Sequence, residues 1–264
     1  MSFRLKEYGK IRYYVDEKIE SVCGLSHIFT TRHGGFSEGP LATMNMSPSR
    51  DNPDTVKLNY KTVCMCENIP AERCVLSHQT HTTNIKVVTE EDAGKGIFKE
   101  SDIKDIDGLI TNVKNLPLVI FYADCVPVLL YDPVKKVVAA VHAGWRGTVN
   151  NIVGKAVRIM QEVFGCNPQN TLAAIGPSIA QCCFETGPEV AEEFISAGLS
   201  EYIKIQREKF YIDLQGVNEH FLKESGVSSV TLSHLCTKCN TNEFFSHRGC
   251  GADTGRMALL ACLK

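Results

Sequence analysis

What the chain lacks narrows it first. Its 264 residues contain no uninterrupted apolar run of 18, the length a bilayer-spanning helix needs, so no membrane partner is expected. Positive charge is not in excess either. With 28 Lys and Arg against 30 Asp and Glu, the formal net charge is −2, and without a basic stripe to follow a phosphate backbone, nucleic acid is not an expected partner. No low-complexity stretch, fixed-period repeat or Pro/Gly/Ser-rich linker divides the chain, so residues 1–264 are expected to form a single catalytic domain. Arg4, Lys6, Glu7 and Lys10 stand where a secretory leader needs an apolar segment, which points to the cytoplasm. Finally, the eight histidines include no H-x-H pair, so at most one copper site is expected.

Cysteine, by contrast, is abundant, at twelve. In a reducing compartment such a chain needs no disulfide framework, and a free cysteine ordinarily packs as a small buried hydrophobe. Cys236-Thr237-Lys238-Cys239, with His234 before it, has the spacing of half a structural zinc site. The other half is missing, since there is no second C-x-x-C and Cys250 is the only nearby candidate, so packing is the reading preferred for this pair.

The most informative stretch is 122–146. Two runs of β-branched and aliphatic residues, 126–131 and 136–141, flank the turn formers Asp132 and Pro133, which predicts an antiparallel hairpin. If Tyr131 faces Lys136 across the turn, Cys125 faces His142. Directly opposed residues have Cβ atoms about 4.5–5.5 Å apart, close enough for a thiolate and an imidazole to share one metal with bonds of about 2.3 and 2.1 Å. A third ligand is available from His78 or His81. These lie between two apolar runs, 73–77 and 84–88, expected to pair as strands.

Elsewhere, Asn52-Pro53 starts a helix expected to reach Asn68, and Asn150 or Asn151 caps an amphipathic helix carrying Ile152, Val153, Ala156, Val157, Met160, Val163 and Phe164. Pro188 and Asp213 open two more helices, which Gly198 and Gly226 stop. Residues 107–111, 116–122, 172–175 and 230–232 read as strands, and the acidic segment 89–104 as a surface loop. Strands alternating with helices, together with hairpins, give an α/β fold with mixed parallel and antiparallel sheets and α+β character, centred on the Cys/His hairpin. The turn Thr30-Thr31-Arg32-His33-Gly34-Gly35 is rich in donors that suit an anion.

Taken together, the motifs resemble one known family. Thr30 to Gly35, Gln79-Thr80-His81, Asp107-Gly108, Ala123-Asp124-Cys125-Val126-Pro127, His142-Ala143-Gly144-Trp145-Arg146-Gly147, Gly176-Pro177-Ser178-Ile179, Phe244-Phe245-Ser246-His247-Arg248 and Thr254-Gly255-Arg256 are similar to the YfiH/YlmD family, formerly labelled multicopper polyphenol oxidase or laccase. The resemblance implies a zinc-dependent purine nucleoside enzyme. Its reactions would be phosphorolysis of adenosine, inosine, guanosine and methylthioadenosine to base and ribose 1-phosphate, and deamination of adenosine to inosine. It also implies His81, Cys125 and His142 as the zinc ligands. Two positions depart from the family pattern: Thr82 stands where a glycine follows the first metal histidine, and Gly249 where a second arginine follows Arg248.

Three protein ligands leave a tetrahedral zinc one open position, the mark of a catalytic site. Arg32 and Arg248 are the phosphate candidates, because guanidinium groups bind oxyanions bidentately; His247 is a further substrate contact, and Asp124, beside the thiolate, a candidate proton carrier. Purine nucleosides and phosphate are thus the expected partners, for a monomer or small homo-oligomer. Two other functions use the same residues. One is a Cys-His hydrolase or amidase with Cys125 as nucleophile and His142 as base, a reading encouraged by the fold's likeness to a cytotoxic deamidase domain. The other is a copper-dependent phenol oxidase, which the histidine pattern disfavours.

Overall fold

Two apolar stretches, Val126–Asp132 and Val137–Ala143, form adjacent antiparallel strands in which every residue is buried. A strand buries both faces only between two further layers, and that requirement organises the molecule. The computed structural model describes residues 3–49 and 51–264. In chain order the strands are β1 (Phe3–Tyr8), β2 (Ile11–Asp16), β3 (Leu25–Thr30), β4 (Val75–Leu76), β5 (Ile85–Val87), β6 (Gly108–Thr111), β7 (Leu118–Tyr122), β8 (Val126–Asp132), β9 (Val137–Ala143), β10 (Leu172–Ile175), β11 (Glu185–Thr186), β12 (Ile203–Gln206), β13 (Lys209–Ile212), β14 (Ser229–Leu232) and β15 (Met257–Leu263). The helices are α1 (Glu17–Glu20), α2 (Pro53–Met65), α3 (Trp145–Val149), α4 (Ile152–Phe164), α5 (Pro188–Ser196), α6 (Leu214–Glu224) and α7 (His247–Cys250). Among the described residues no helix is long and apolar enough to cross a membrane.

Sheet I has the order β1-β2-β3-β15-β7-β4, sheet II the order β14-β10-β8-β9-β6-β5, and β11-β13-β12 form a small third sheet. The β4–β7, β5–β6 and β10–β14 pairs are parallel among otherwise antiparallel neighbours, so the mixed sheets expected from the sequence are present. Side-chain alternation sets the layers. Leu129, Tyr131, Val138 and Ala140 of sheet II pack with Phe29, Ile120, Leu259 and Ala261 of sheet I. The alternate residues Val128, Leu130, Ala139 and Val141 pack with Val153, Ala156, Val157 and Met160 of α4 and Val217 and Leu222 of α6. Ile28, Val119 and Leu260 on the outer face of sheet I are covered by Val56, Tyr60 and Val63 of α2. The result is four layers, helix, sheet, sheet, helix. Helix α4 begins at Asn151, whose side chain accepts from the Gly154 amide, and stops at Gly165 in the left-handed region; each large side chain it buries is worth about 1.5–3 kcal/mol.

Three expectations need correction. Helix α2 stops at Met65, short of Asn68. The apolar runs around His78 and His81 do not pair with each other: β4 lies parallel to β7 in sheet I, and β5 parallel to β6 in sheet II. The histidine-bearing loop therefore crosses from one sheet to the other. The central hairpin is also registered differently, with Tyr131 opposite Val138 and Pro127 opposite His142. Its turn occupies residues 133–136, with Lys136 at φ 54°. The shift amounts to two residues, and because side chains alternate with period two it changes the partners without changing the faces.

Candidate active site and metal centre

The loop between β4 and β5 is fastened at both ends. On the sheet I side, the Gln79 amide donates to the Phe121 carbonyl at 2.9 Å and accepts from the Phe121 amide at 2.7 Å, standing in for a strand neighbour of β7. On the sheet II side, the fully buried Asp107 carboxylate accepts from the backbone amides of Thr80, His81 and Thr82, at 3.3, 3.1 and 2.7 Å, and from the Thr82 hydroxyl at 2.9 Å. These bonds hold His81 in the left-handed region at φ 63°, where a non-glycine residue needs such support.

Asp107 also orients His142. Its carbonyl accepts from the His142 amide at 2.7 Å, and its carboxylate lies 2.8 Å from His142 Nδ1. With Nδ1 used on the carboxylate, Nε2 is left to face a metal or the Cys125 thiol. Cys125 immediately precedes β8. Continuing the observed register places it opposite Gly144, and His142 is its diagonal neighbour on the same face. A Cβ at Gly144 would come within 2.8 Å of His81 Cδ2 and 3.3 Å of Cys125 Sγ, so the missing side chain is the space the two ligands occupy. Cys125 Sγ lies 3.8 Å from His81 Nε2, the two imidazole rings are 5.0 Å apart at 73°, and the three donor atoms lie within 4.8 Å of one another.

The electrostatics of this cluster follow from its geometry. Burial pushes the Cys125 thiol up, but His142 and His81 outweigh it and hold the pKa down to about 6. Burial likewise disfavours the charged His142 imidazole, yet Cys125 and Asp107 raise it to about 9. Asp107 is opposed by burial and held down to about 2 by His142 and Thr82. Without metal the site is therefore a thiolate–imidazolium pair backed by a carboxylate.

These residues fit a zinc ion. One thiolate and two imidazoles form a three-ligand set with a fourth position open, and sulfur and nitrogen bound to one tetrahedral zinc lie about 3.6 Å apart, close to the 3.8 Å observed. The carboxylate behind His142 is the usual second partner of such a ligand. Among the described residues the other metal-capable group is a cluster of four cysteines, so no second histidine-bearing centre accompanies this one.

The centre opens into a cleft of about 920 Å³ lined by Phe121, Trp145, Arg146, Phe184, His247, Arg248 and Arg256, among others. His78 also lines the cleft but is exposed and takes no part in the three-donor cluster. Arg146 stacks on Trp145 at 4.2 Å. Arg248 lies over Phe184 at 5.3 Å and donates to the Glu185 carbonyl at 2.8 Å. His247 is exposed at the start of α7. Asp124, buried at φ 90°, accepts from the Thr237 hydroxyl at 2.6 Å, the Ser246 hydroxyl at 2.7 Å and the Arg248 amide at 2.7 Å. It ties the segment bearing His247 and Arg248 to the residue next to Cys125. Arg32 is placed elsewhere: its guanidinium donates to the carbonyls of Ala42 and Thr241 and stacks on Phe245 at 4.8 Å, and it does not line the cleft. Sequence reasoning gave Asp107 no role, although Asp107-Gly108 stands among the family-like motifs and opens a strand.

Fold and site define a class: an α+β protein with mixed sheets and a His-Cys-His centre at the end of the seam between them. The chain belongs to the family described as multi-copper polyphenol oxidoreductase laccase, whose family model matches residues 26–264. It is 36% identical over 245 residues to purine nucleoside phosphorylase YlmD of Bacillus subtilis, covering 89% of this chain and 87% of that one. A purine nucleoside phosphorylase of Bacteroides thetaiotaomicron is 39% identical, covering 91% and 92%. Adenosine deaminase RL5, from an unknown prokaryotic organism, is 34% identical, covering 74% and 77%. The crystal structure of the hypothetical protein YfiH of Bacillus licheniformis superposes with a TM-score of 0.91 at 32% identity, covering 99% of both chains.

Proposed function

We propose that this chain is a zinc-dependent purine nucleoside enzyme that phosphorolyses adenosine, inosine, guanosine and methylthioadenosine and deaminates adenosine. The observation that carries this reading is the His81, Cys125 and His142 cluster, braced by Asp107 and opening into a cleft lined by three guanidinium groups. Relatives named for both activities support it. Zinc held by His81, Cys125 and His142 would supply an activated water for deamination.

The chain's own residues account for the rest. In phosphorolysis a phosphate oxygen attacks the ribose C1′, the C1′–N9 bond breaks with its electrons going to the purine, and a proton must reach the departing base. Arg248, which uses one N–H on Glu185 and lines the cleft, and Arg146, over the Trp145 ring, offer guanidinium groups to the phosphate oxyanion. The rings of Trp145 and Phe184 give apolar faces for a purine. His247, which lines the cleft, we assign to proton donation or a ribose contact. Asp124, with three donors on its carboxylate, we assign to positioning rather than proton transfer, and Arg32 to holding its own loop.

A Cys-His hydrolase is favoured by one observation, the Cys125–His142–Asp107 arrangement, in which the imidazole sits beside the thiol and its Nδ1 lies 2.8 Å from the carboxylate. Metal content separates the two, because a thiolate bound to zinc is a poor free nucleophile. The test is a panel of the four nucleosides with and without phosphate, read by mass spectrometry beside elemental analysis. Free base and ribose 1-phosphate appearing only with phosphate, inosine from adenosine without it, and loss of both on exhaustive chelation are expected. Turnover unaffected by chelation, or phenol oxidation dependent on copper, overturns the proposal.

A further inference from the structure

Away from the cleft's metal centre, four sulfurs converge. Cys182 and Cys183, adjacent in a turn before β11, meet Cys236 and Cys239 with all four Sγ atoms within 4.8 Å of one another. The partner of the C-x-x-C is the Cys182–Cys183 pair, distant in sequence, rather than Cys250, which corrects the expectation that Cys236 and Cys239 are packing residues. The Sγ separations are 3.7 Å for Cys182–Cys183, 3.8 Å for Cys182–Cys239 and 3.4 Å for Cys183–Cys239. Two sulfurs on one tetrahedral zinc at about 2.3 Å each lie about 3.8 Å apart, whereas a disulfide brings them to about 2.05 Å.

Packing does not explain the gathering. Cys182 and Cys239 are exposed and Cys183 is only partly covered, so these thiols gain little of the burial that makes a free cysteine useful in a core. The main chain around them is built to fix their positions. Ser178 and Cys236 form a bridge, in which the Ser178 amide donates to the Leu235 carbonyl at 3.1 Å and the Thr237 amide to the Ser178 carbonyl at 3.0 Å. The Ala180 amide points at Cys236 Sγ at 3.4 Å, and the Cys239 amide donates to the same sulfur. Such amides stabilise a thiolate, the form that binds metal. Beside Cys182, a cavity wall carries Lys204 and Arg207, positive groups on the side of the cluster where a zinc ion with four thiolates would carry net negative charge; Lys209 on the same wall is paired with Glu185.

We propose that Cys182, Cys183, Cys236 and Cys239 bind one zinc ion in a closed, structural site distinct from the His-Cys-His centre. With four protein ligands it has no open position and no chemistry of its own. Its effect is to join a segment that lines the cleft through Phe184 to one that anchors a cleft residue from behind. One continues from Cys183 into Phe184 and Glu185, which carry the Arg248 guanidinium; the other holds Thr237, which anchors Asp124 beside Cys125.

The test uses the full chain purified under reducing conditions, with elemental analysis and native mass spectrometry. Wild type is expected to carry two equivalents of zinc, Cys236→Ser/Cys239→Ser one, and Cys125→Ser/His142→Ala the other one. X-ray absorption at the zinc edge of the last variant should show four sulfur neighbours. Because the cysteine variant can fail to fold, wild type supplies a second measurement: Cys182, Cys183, Cys236 and Cys239 should resist alkylation together until a chelator strips the metal, while exposed Cys23 reacts throughout. A single zinc in wild type with these four thiols reacting as fast as Cys23, a disulfide among them in a non-reducing peptide map, or iron in place of zinc would each overturn the proposal.

Discussion

Asp107 and His142 face each other across β6 and β9 and are joined twice, backbone to backbone at 2.7 Å and imidazole to carboxylate at 2.8 Å. The same carboxylate gathers the amides of Thr80, His81 and Thr82, so one buried side chain sets two of the three candidate ligands.

Asp107→Asn tests that dependence. The amide puts an N–H₂ group where backbone donors now point, leaving one side of the network with donor facing donor. Metal affinity should fall on the order of 10- to 100-fold, the usual cost of losing such a partner. Competition with a chelator measures it, and unchanged affinity in a folded variant would remove Asp107 from the site.

Gly144→Ala addresses the space between the ligands. Its backbone, at φ −67° and ψ 172°, suits alanine, so the added methyl acts through contact with His81 and Cys125 rather than through strain. Turnover should drop by roughly 100-fold, as expected when reacting groups move by about 1 Å, with little change in thermal unfolding. Retained turnover would mean that the two ligands have room to spare.

In metal-stripped protein, alkylation of Cys125 should rise with pH about a midpoint near 6, where burial is outweighed by His142 and His81. Replacing His142 by alanine should move that midpoint upward, because burial remains and its main counterweight is gone; peptide mass spectrometry after iodoacetamide reads both. The linkage to folding has two opposing parts. The raised His142 contributes stability fully present below its ordinary value of 6.5 and lost as pH rises through about 9. The depressed Cys125 contributes stability present above its ordinary 9.0 and lost as pH falls through about 6. Since the proton leaves the thiol for the imidazole, the two slopes oppose each other between about 6 and 9, and unfolding of the metal-free protein should vary little there.

Arg248→Ala and Arg32→Ala should part company. Removing Arg248 should cut phosphorolysis by about 100-fold, the scale of one lost oxyanion donor, and leave deamination within a few-fold. Removing Arg32 should cost about 2 kcal/mol of stability, the scale of hydrogen bonds made by a charged group, and leave the phosphate dependence alone. Equal losses of both activities in Arg248→Ala would point to a folding role.

Much of this was legible because the signals are local. Asn52, Asn151 and Asp213 mark their helices by capping, and the apolar runs around Asp132-Pro133 mark the hairpin. The hairpin register was not, since the turn places Lys136 in a left-handed conformation that the side chain does not advertise. The slip preserved the faces, so Cys125 and His142 still meet, as diagonal rather than direct neighbours. What could not be read depends on pairings between distant segments. Asp107 becomes significant only once β6 is laid beside β9, and Cys182–Cys183 only once Ser178 bridges to Cys236. Arg32 misled because a donor-rich turn looks the same whether it meets an anion or its own carbonyls.

The position of β15 has a consequence for how the molecule assembles. It lies between β3 and β7, with Leu259 opposite Phe29 on one side and Ile120 on the other, so residues more than two hundred positions apart must meet before sheet I is continuous. Contacts of such long range make folding slow. During synthesis, β3 and β7 emerge long before the strand that separates them, and their unmatched edges offer each other, or a neighbouring nascent chain, a wrong partner. Until β15 arrives, those two edges are the part of sheet I most open to mispairing.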